Sequence, residues 1–195
     1  MKVIDMRFNI SNIQRLVGKK FKRYTCDPFL FSNSVTQNIG LFIDADVFIL
    51  KNEQKEVDYF GEAEEMAVFQ LLPAQERDVK SAFIDTEQIR TVVNQKITRI
   101  QLINEEQRIS DHEKILYDVF LTRGIIFFLE DREISFEKDQ VPFSEEIFIQ
   151  KGDHLISTFS DPERFKEDWE ETLTPECFRE ILDVTEDKVT VIRKY

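Results

Sequence analysis

Trp169 stands inside the acidic run Glu167, Asp168, Glu170 and Glu171. An indole ringed by carboxylates is how a binding surface anchors a basic protein partner: the ring is desolvated at the centre while the rim charges steer approach. Trp169, Asp168, Glu170 and Glu171 are therefore the candidate partner-binding residues. The plainer alternative is that Trp169 faces the core beside Phe165, four residues away on one helix face, with its acids in water.

A second pair with chemical potential is Arg123 and Arg132, expected in neighbouring turns, where two guanidinium groups could hold a small anion. Ion pairing with Asp131 and Glu133 accounts for the same residues more simply. Tyr59 and Phe136 are aromatic candidates for lining a ligand cleft.

Other chemistry is thinly provided for. His112 and His154 stand alone, without cysteines or carboxylates at ligand spacing, so no metal is expected. The five glycines form no phosphate-cradling loop or dinucleotide fingerprint, so no cofactor is expected. None of the serines sits in a strand-turn-helix setting that would expose a nucleophile, and Cys26 lies just ahead of Pro28, so no catalytic residue is assigned. The pair Asp44 and Asp46 fits a hairpin turn better than a cation site.

Lys and Arg number 26 against 38 Asp and Glu, a formal charge of −12, which repels nucleic acid and anionic membrane surfaces. The local run Lys19, Lys20, Lys22 and Arg23 is read as the wet face of a strand. Cys26 and Cys177 lie far apart and in no redox spacing, which points to a reducing compartment. With no signal-peptide core or long apolar stretch, the cytoplasm is the expected location.

The elements that must position these residues are mostly strands. Ile4, Met6, Phe8 and Ile10 alternate with polar residues, predicting an N-terminal strand. Further strands are expected at 20–26, 41–43, 47–50, 56–60 and 66–72, and again at 96–103, 115–121, 125–129, 133–136 and 146–150. Asp44 to Asp46, Asn52 to Gln54, Thr122 to Gly124 and Glu130 to Arg132 are the expected turns.

The two halves also align with one another. Residues 12–24 lie over 88–100 without a gap, matching Ile13 to Ile89, Val17 to Val93, Lys20 to Lys96 and Arg23 to Arg99, and later matches such as Phe42 to Phe120 follow in order. After Gln150 the pattern changes. Asp161 and Pro162 predict a short helix carrying Phe165 and Trp169, and Thr174 to Glu176 a second, with Cys177 and Ile181, and Phe178 and Leu182, paired four apart.

The expected fold is therefore mainly β: two similar antiparallel β-meander repeats (1–75 and 76–152) forming packed sheets or a pseudo-two-fold barrel, with a short α-helical C-terminal tail (153–195) packed on them as one unit. The expected function is that of a non-enzymatic interaction protein whose acidic surface engages a basic partner, as an inhibitor or immunity protein does. The rival is a small-molecule-binding barrel or an enzyme with its site between the repeats.

Overall fold

The computed structural model describes residues 4–31, 33–59, 62–167 and 169–194, and in it the chain folds as two β-sheets packed face to face. The fold is mainly β, with 59% strand. In chain order come β1 (Ile4–Met6), a one-turn helix α1 (Ile10–Gln14), β2 (Lys20–Cys26), β3 (Ser34–Thr36), β4 (Asn38–Ile43), β5 (Asp46–Tyr59), β6 (Glu62–Ala74) and β7 (Ile89–Lys96). There follow β8 (Arg99–Asp111), β9 (Lys114–Phe128), β10 (Glu133–Lys138), β11 (Glu146–Gly152), β12 (Leu173–Val184) and β13 (Val189–Lys194).

One sheet has the order β6-β5-β4-β2-β7 and the other β13-β12-β8-β9-β10-β11-β3, with β1 added parallel to β9. All the other pairings are antiparallel, and among the described residues neither sheet closes into a barrel. No helix of the described residues is long and apolar enough to cross a membrane.

Alternation, shifted in β2 by an irregularity between Phe21 and Arg23, explains the packing. Phe21, Tyr24, Leu41, Ile43 and Leu50 point from the five-stranded sheet into a shared core with Ile100, Leu102, Ile125, Phe127, Ile134, Phe136, Ile147 and Ile149 of the larger one. The rings of Phe21 and Phe127 lie 5.2 Å apart, and Tyr24 meets Phe136 edge-on at 5.7 Å. The chain passes from one sheet to the other at Ile97 and Thr98. The Ile97 N–H donates to Lys19 O beside β2, and the next N–H, of Thr98, donates to Phe128 O of β9.

Several expectations are corrected. The N-terminal strand stops at Met6, and Ile10 begins α1, which Asn9 caps by accepting from the Asn12 N–H. Asn52 to Gln54 is no turn: it lies within the continuous strand β5, and Asn52 is fully buried. Thr122 to Gly124 likewise lies within β9. The tail is not helical beyond the single 3₁₀ segment Pro162–Lys166 and the 3₁₀ turn Leu155–Thr158, because Thr174 to Leu182 form most of β12, the strand between β8 and β13. Each half supplies a four-strand meander, β2-β4-β5-β6 and β8-β9-β10-β11. The aligned residues nevertheless occupy different structure: 12–24 run from α1 through a turn into β2, whereas 88–100 run along β7, through the crossover and into β8.

Candidate binding groove

Arg123 is the residue on which the outer face of the large sheet is organised. Gly124 pairs with Ile103 and Thr122 with Asn104, so Arg123 is the extra residue of a β-bulge. The bulge turns its guanidinium inward, and the residue is 1% exposed. Gly124 beside it is required by close approach, since a Cβ there would lie 2.4 Å from the Phe159 ring and 2.8 Å from the carbonyl oxygen of Phe136.

Around Arg123 the sheet register gathers Glu105 and Gln107 of β8, Glu137 and Lys138 of β10, and Arg179 of β12. Arg179 donates from Nε (3.0 Å) and from Nη2 to Glu105 Oε1, and its Nη2 also donates to Ser160 O at 2.6 Å. Glu105 Oε2 accepts from Gln107 Nε2 at 2.8 Å and lies 3.3 Å from Arg123 Nε. Arg123 donates to the Lys138 carbonyl and, at 3.2 Å, to Glu137 Oε1, which also accepts from the Ser160 N–H.

Burial works to raise the Glu105 carboxyl, but the charges of Arg123 and Arg179, with the hydrogen bonds from Arg179 and Gln107, hold it below its ordinary value. Glu137 has only part of that compensation, and burial pushes it up against the opposing pull of Arg123. Burial, with Glu105 nearby, also pushes up the Cys177 thiol, and burial with Asp27 raises Cys26 to about 11, so neither thiol is poised as a nucleophile. The void beside Arg123 and Lys138 is about 10 Å³, room for roughly one water, so these charges meet each other rather than a substrate.

Their work is to fix two loops. Arg179 and Glu137 grip the Ser160 backbone, which leads into the 3₁₀ segment Pro162–Lys166. Lys138 Nζ donates to the carbonyls of Asp139 (3.0 Å) and Val141 (3.1 Å) at the start of the other loop. The smaller sheet holds the rest of that loop. Ala67 N donates to Pro142 O, Gln54 Nε2 to Phe143 O, and Asn52 Nδ2 to the carbonyls of Ser144 and Glu146.

Between the two loops runs an open groove of about 460 Å³. Phe165 forms its floor, stacked on Tyr117 on one side and tilted against Trp169, whose ring centroid is 5.5 Å away, on the other. Val141, Phe143 and Trp169 are its apolar walls, with Phe143 62% and Trp169 37% exposed. Asp139, Glu167 and Arg164 supply the polar rim. Trp169 Nε1 donates to Phe165 O, which sets the ring across the groove.

Trp169 is thus both packed on Phe165 and open to water, so its two sequence readings are compatible. Glu170 and Glu171 are exposed in the turn leading into β12, outside the groove lining, while Asp168 and the Tyr59 side chain lie outside the described residues. Arg123 and Arg132 are not brought together. Arg132 lies in the β9–β10 turn, ion-paired to Asp131 at 2.8 Å, while the Gly124–Glu137 pair beside Arg123 is four strand residues away from that turn, about 13 Å at ~3.3 Å per residue. Phe136 lines no cleft, being wholly inside the core. Sequence reasoning missed Glu105, Glu137, Lys138 and Arg179, and also Val141 and Phe143, whose one local signal is two large apolar residues flanking a proline between charged neighbours.

Lys138 gives a pH test of the arrangement. Burial, followed by the Arg123 charge, pushes its ammonium down to about 7. Between that value and the ordinary lysine value the unfolded chain binds the proton that the folded chain has released, so this residue makes stability rise with pH from about 7 to ~10. Lys138→Met is expected to flatten that rise in urea unfolding measured at several pH values. Equal slopes for the two proteins would show that Lys138 is not titrating there. Comparison with protein-family models, curated proteins and solved structures returns no match to the chain.

Proposed function

We propose that the protein is a non-enzymatic interaction protein and that the Trp169 groove takes an apolar segment of a basic protein partner. The carrying observation is that Val141, Phe143 and Trp169 are exposed together on walls already fixed by buried hydrogen bonds and ion pairs. An apolar surface held in shape before binding loses little freedom when it is covered, which is the property of an interface hot spot. The formal charge of −12 and the acids Glu167, Glu170 and Glu171 favour a partner of opposite sign. The cytoplasm is the proposed compartment, supported by the two free thiols Cys26 and Cys177.

Trp169 is the sole tryptophan, so its emission reports on the groove directly. A basic protein recovered on the immobilised chain is expected to shift that emission, and to bind more weakly as salt rises. Trp169→Ala is expected to weaken the same complex by ~2 kcal/mol or more, about thirtyfold, as measured by calorimetry. The reading fails if Trp169→Ala and Phe143→Ser both bind the recovered partner as the unmodified chain does.

A further inference from the structure

β7 is the end strand of the smaller sheet and pairs on one side only, with β2. An end strand presents a row of backbone N–H and C=O groups with no partner across from them. The other end of the same sheet is not left so, since on β6 the Ala67 N–H donates to Pro142 O. On β7 the Lys96 N–H is met by a Glu130 carboxylate oxygen at 3.2 Å, and Asn94 leaves the extended conformation with φ 61°. Among the described residues, 89–93 therefore form an open stretch with no strand on its outer side.

The side chains of this edge have the sign opposite to that of the molecule. Phe21, Tyr24 and Cys26 face the core, so Lys20, Arg23 and Thr25 face away from it, and with them their β7 partners Lys96, Val92 and Arg90. Lys22, the extra residue of the bulge against β4, is exposed beside them. Arg23 is already spent, on Glu76 at 2.6 Å and on the Phe42 ring at 3.5 Å. Lys20, Lys22, Arg90 and Lys96 are all exposed and form no ion pair among the described residues. They stand together on one sheet edge of a chain whose formal charge is −12. Val92, two residues from Arg90 on the same face, is 69% exposed.

We propose that this edge takes an acidic extended segment of a partner protein as an added strand, its backbone bonded along residues 89–93 and its carboxylates facing Arg90, Lys22, Lys20 and Lys96. Such a strand draws affinity from main-chain hydrogen bonds and specificity from its alternate side chains. The unpaired cations reject a basic strand, β7 of a second copy included, and accept an acidic one. An apolar residue between two acids of the segment covers Val92 as a cross-strand neighbour. A nucleic acid answers the charge but not the row of backbone groups, and beyond the strip it meets a net negative surface.

This surface is independent of the Trp169 groove and selects the opposite charge. The ¹⁵N-labelled protein is titrated with the peptide acetyl-Thr-Glu-Val-Glu-Val-Glu-Thr amide, with its lysine-for-glutamate counterpart, and with a short oligothymidylate. Two further forms of the acidic peptide carry N-methyl groups on one or the other alternate set of amide nitrogens, which keeps the charge and removes half of the donors. The acidic peptide is expected to give saturable shifts centred on the amides of residues 89–93. One N-methylated form is expected to bind about tenfold more weakly or worse, and the other as the parent does, because only alternate N–H groups face the neighbouring strand. Arg90→Glu is expected to weaken binding about tenfold, with its fold checked by its spectrum. Trp169→Ala is expected to leave the shifts unchanged. The proposal is overturned if the acidic peptide gives no saturable shift, if both N-methylated forms bind as tightly as the parent, or if the lysine peptide or oligothymidylate produces the same shifts.

Discussion

Replacing Glu105 by glutamine destabilises the protein by about 3–5 kcal/mol, the range for breaking one partner out of a buried ion pair. Glu105 is enclosed, and the guanidiniums of Arg123 and Arg179 each face one of its two oxygens. Glutamine keeps the shape and removes the charge, so both cations face a low-dielectric interior with only Glu137, a carboxyl that burial itself works to neutralise. The measurement is the urea midpoint at unchanged slope. Asp131→Asn at the exposed Arg132 pair is the control and leaves the midpoint in place. Because Glu105 is held below its ordinary carboxyl value, its contribution is present above the unfolded-state value and disappears as pH falls through the folded one. A loss no larger than the control's would show that the cluster is not ionised as described.

Phe136→Ala is the second large effect, expected at about 3–5 kcal/mol. Phe136 is 0% exposed and meets both Tyr24 and Phe127 edge-on, at 5.7 and 6.1 Å. Its removal leaves a cavity between the two sheets that neighbours on ordered strands cannot collapse into, so the loss exceeds the transfer term alone. The same substitution separates a core role from a ligand-lining role. A thermal melt drops sharply in the first case. In the second, melting is little changed and a ligand's stabilising effect is lost.

The strand-rich class was legible because alternation and turn residues carry it, as in Tyr24 and Cys26 or Ile147 and Ile149. Three features were hidden for physical reasons. Thr122, Arg123 and Gly124 have turn composition, yet they form a bulge. The sequence carries no sign of it, because Tyr117, Val119, Leu121, Ile125 and Phe127 keep one unbroken alternation, and only the inserted residue sends the first three and the last two to different clusters. β12 was disguised by its own buried ion. Cys177, Arg179 and Ile181 share a buried face, and an arginine in the middle breaks the apolar alternation while leaving the i,i+4 pairs that imitate a helix. Asn52 was read as a turn residue because asparagine favours turns, but here its amide holds the carbonyls of Ser144 and Glu146 across the sheets.

Of the candidate site, Trp169 was legible through its acidic surroundings. The opposite wall was not, because Val141 and Phe143 reach it only through loop anchoring that depends on residues far away in the chain, such as Asn52, Gln54 and Ala67. The halves resemble each other in strand grammar because any chain that folds as two meanders repeats apolar alternation and turns, and that likeness arises without matching residues at matching places.

The bond between Arg179 and Glu105 spans most of the second half of the chain, and this sets an order on assembly during synthesis. At ~5–20 residues per second, β8 and β9 leave the ribosome some seconds before β12 is made. In that interval Glu105 has Arg123 but not Arg179, and Ser160 has nothing to hold its carbonyl, so the wall that carries Trp169 stays slack while the wall of Val141 and Phe143 already has its anchors from Lys138, Asn52, Gln54 and Ala67. The groove is therefore complete only when the penultimate strand docks.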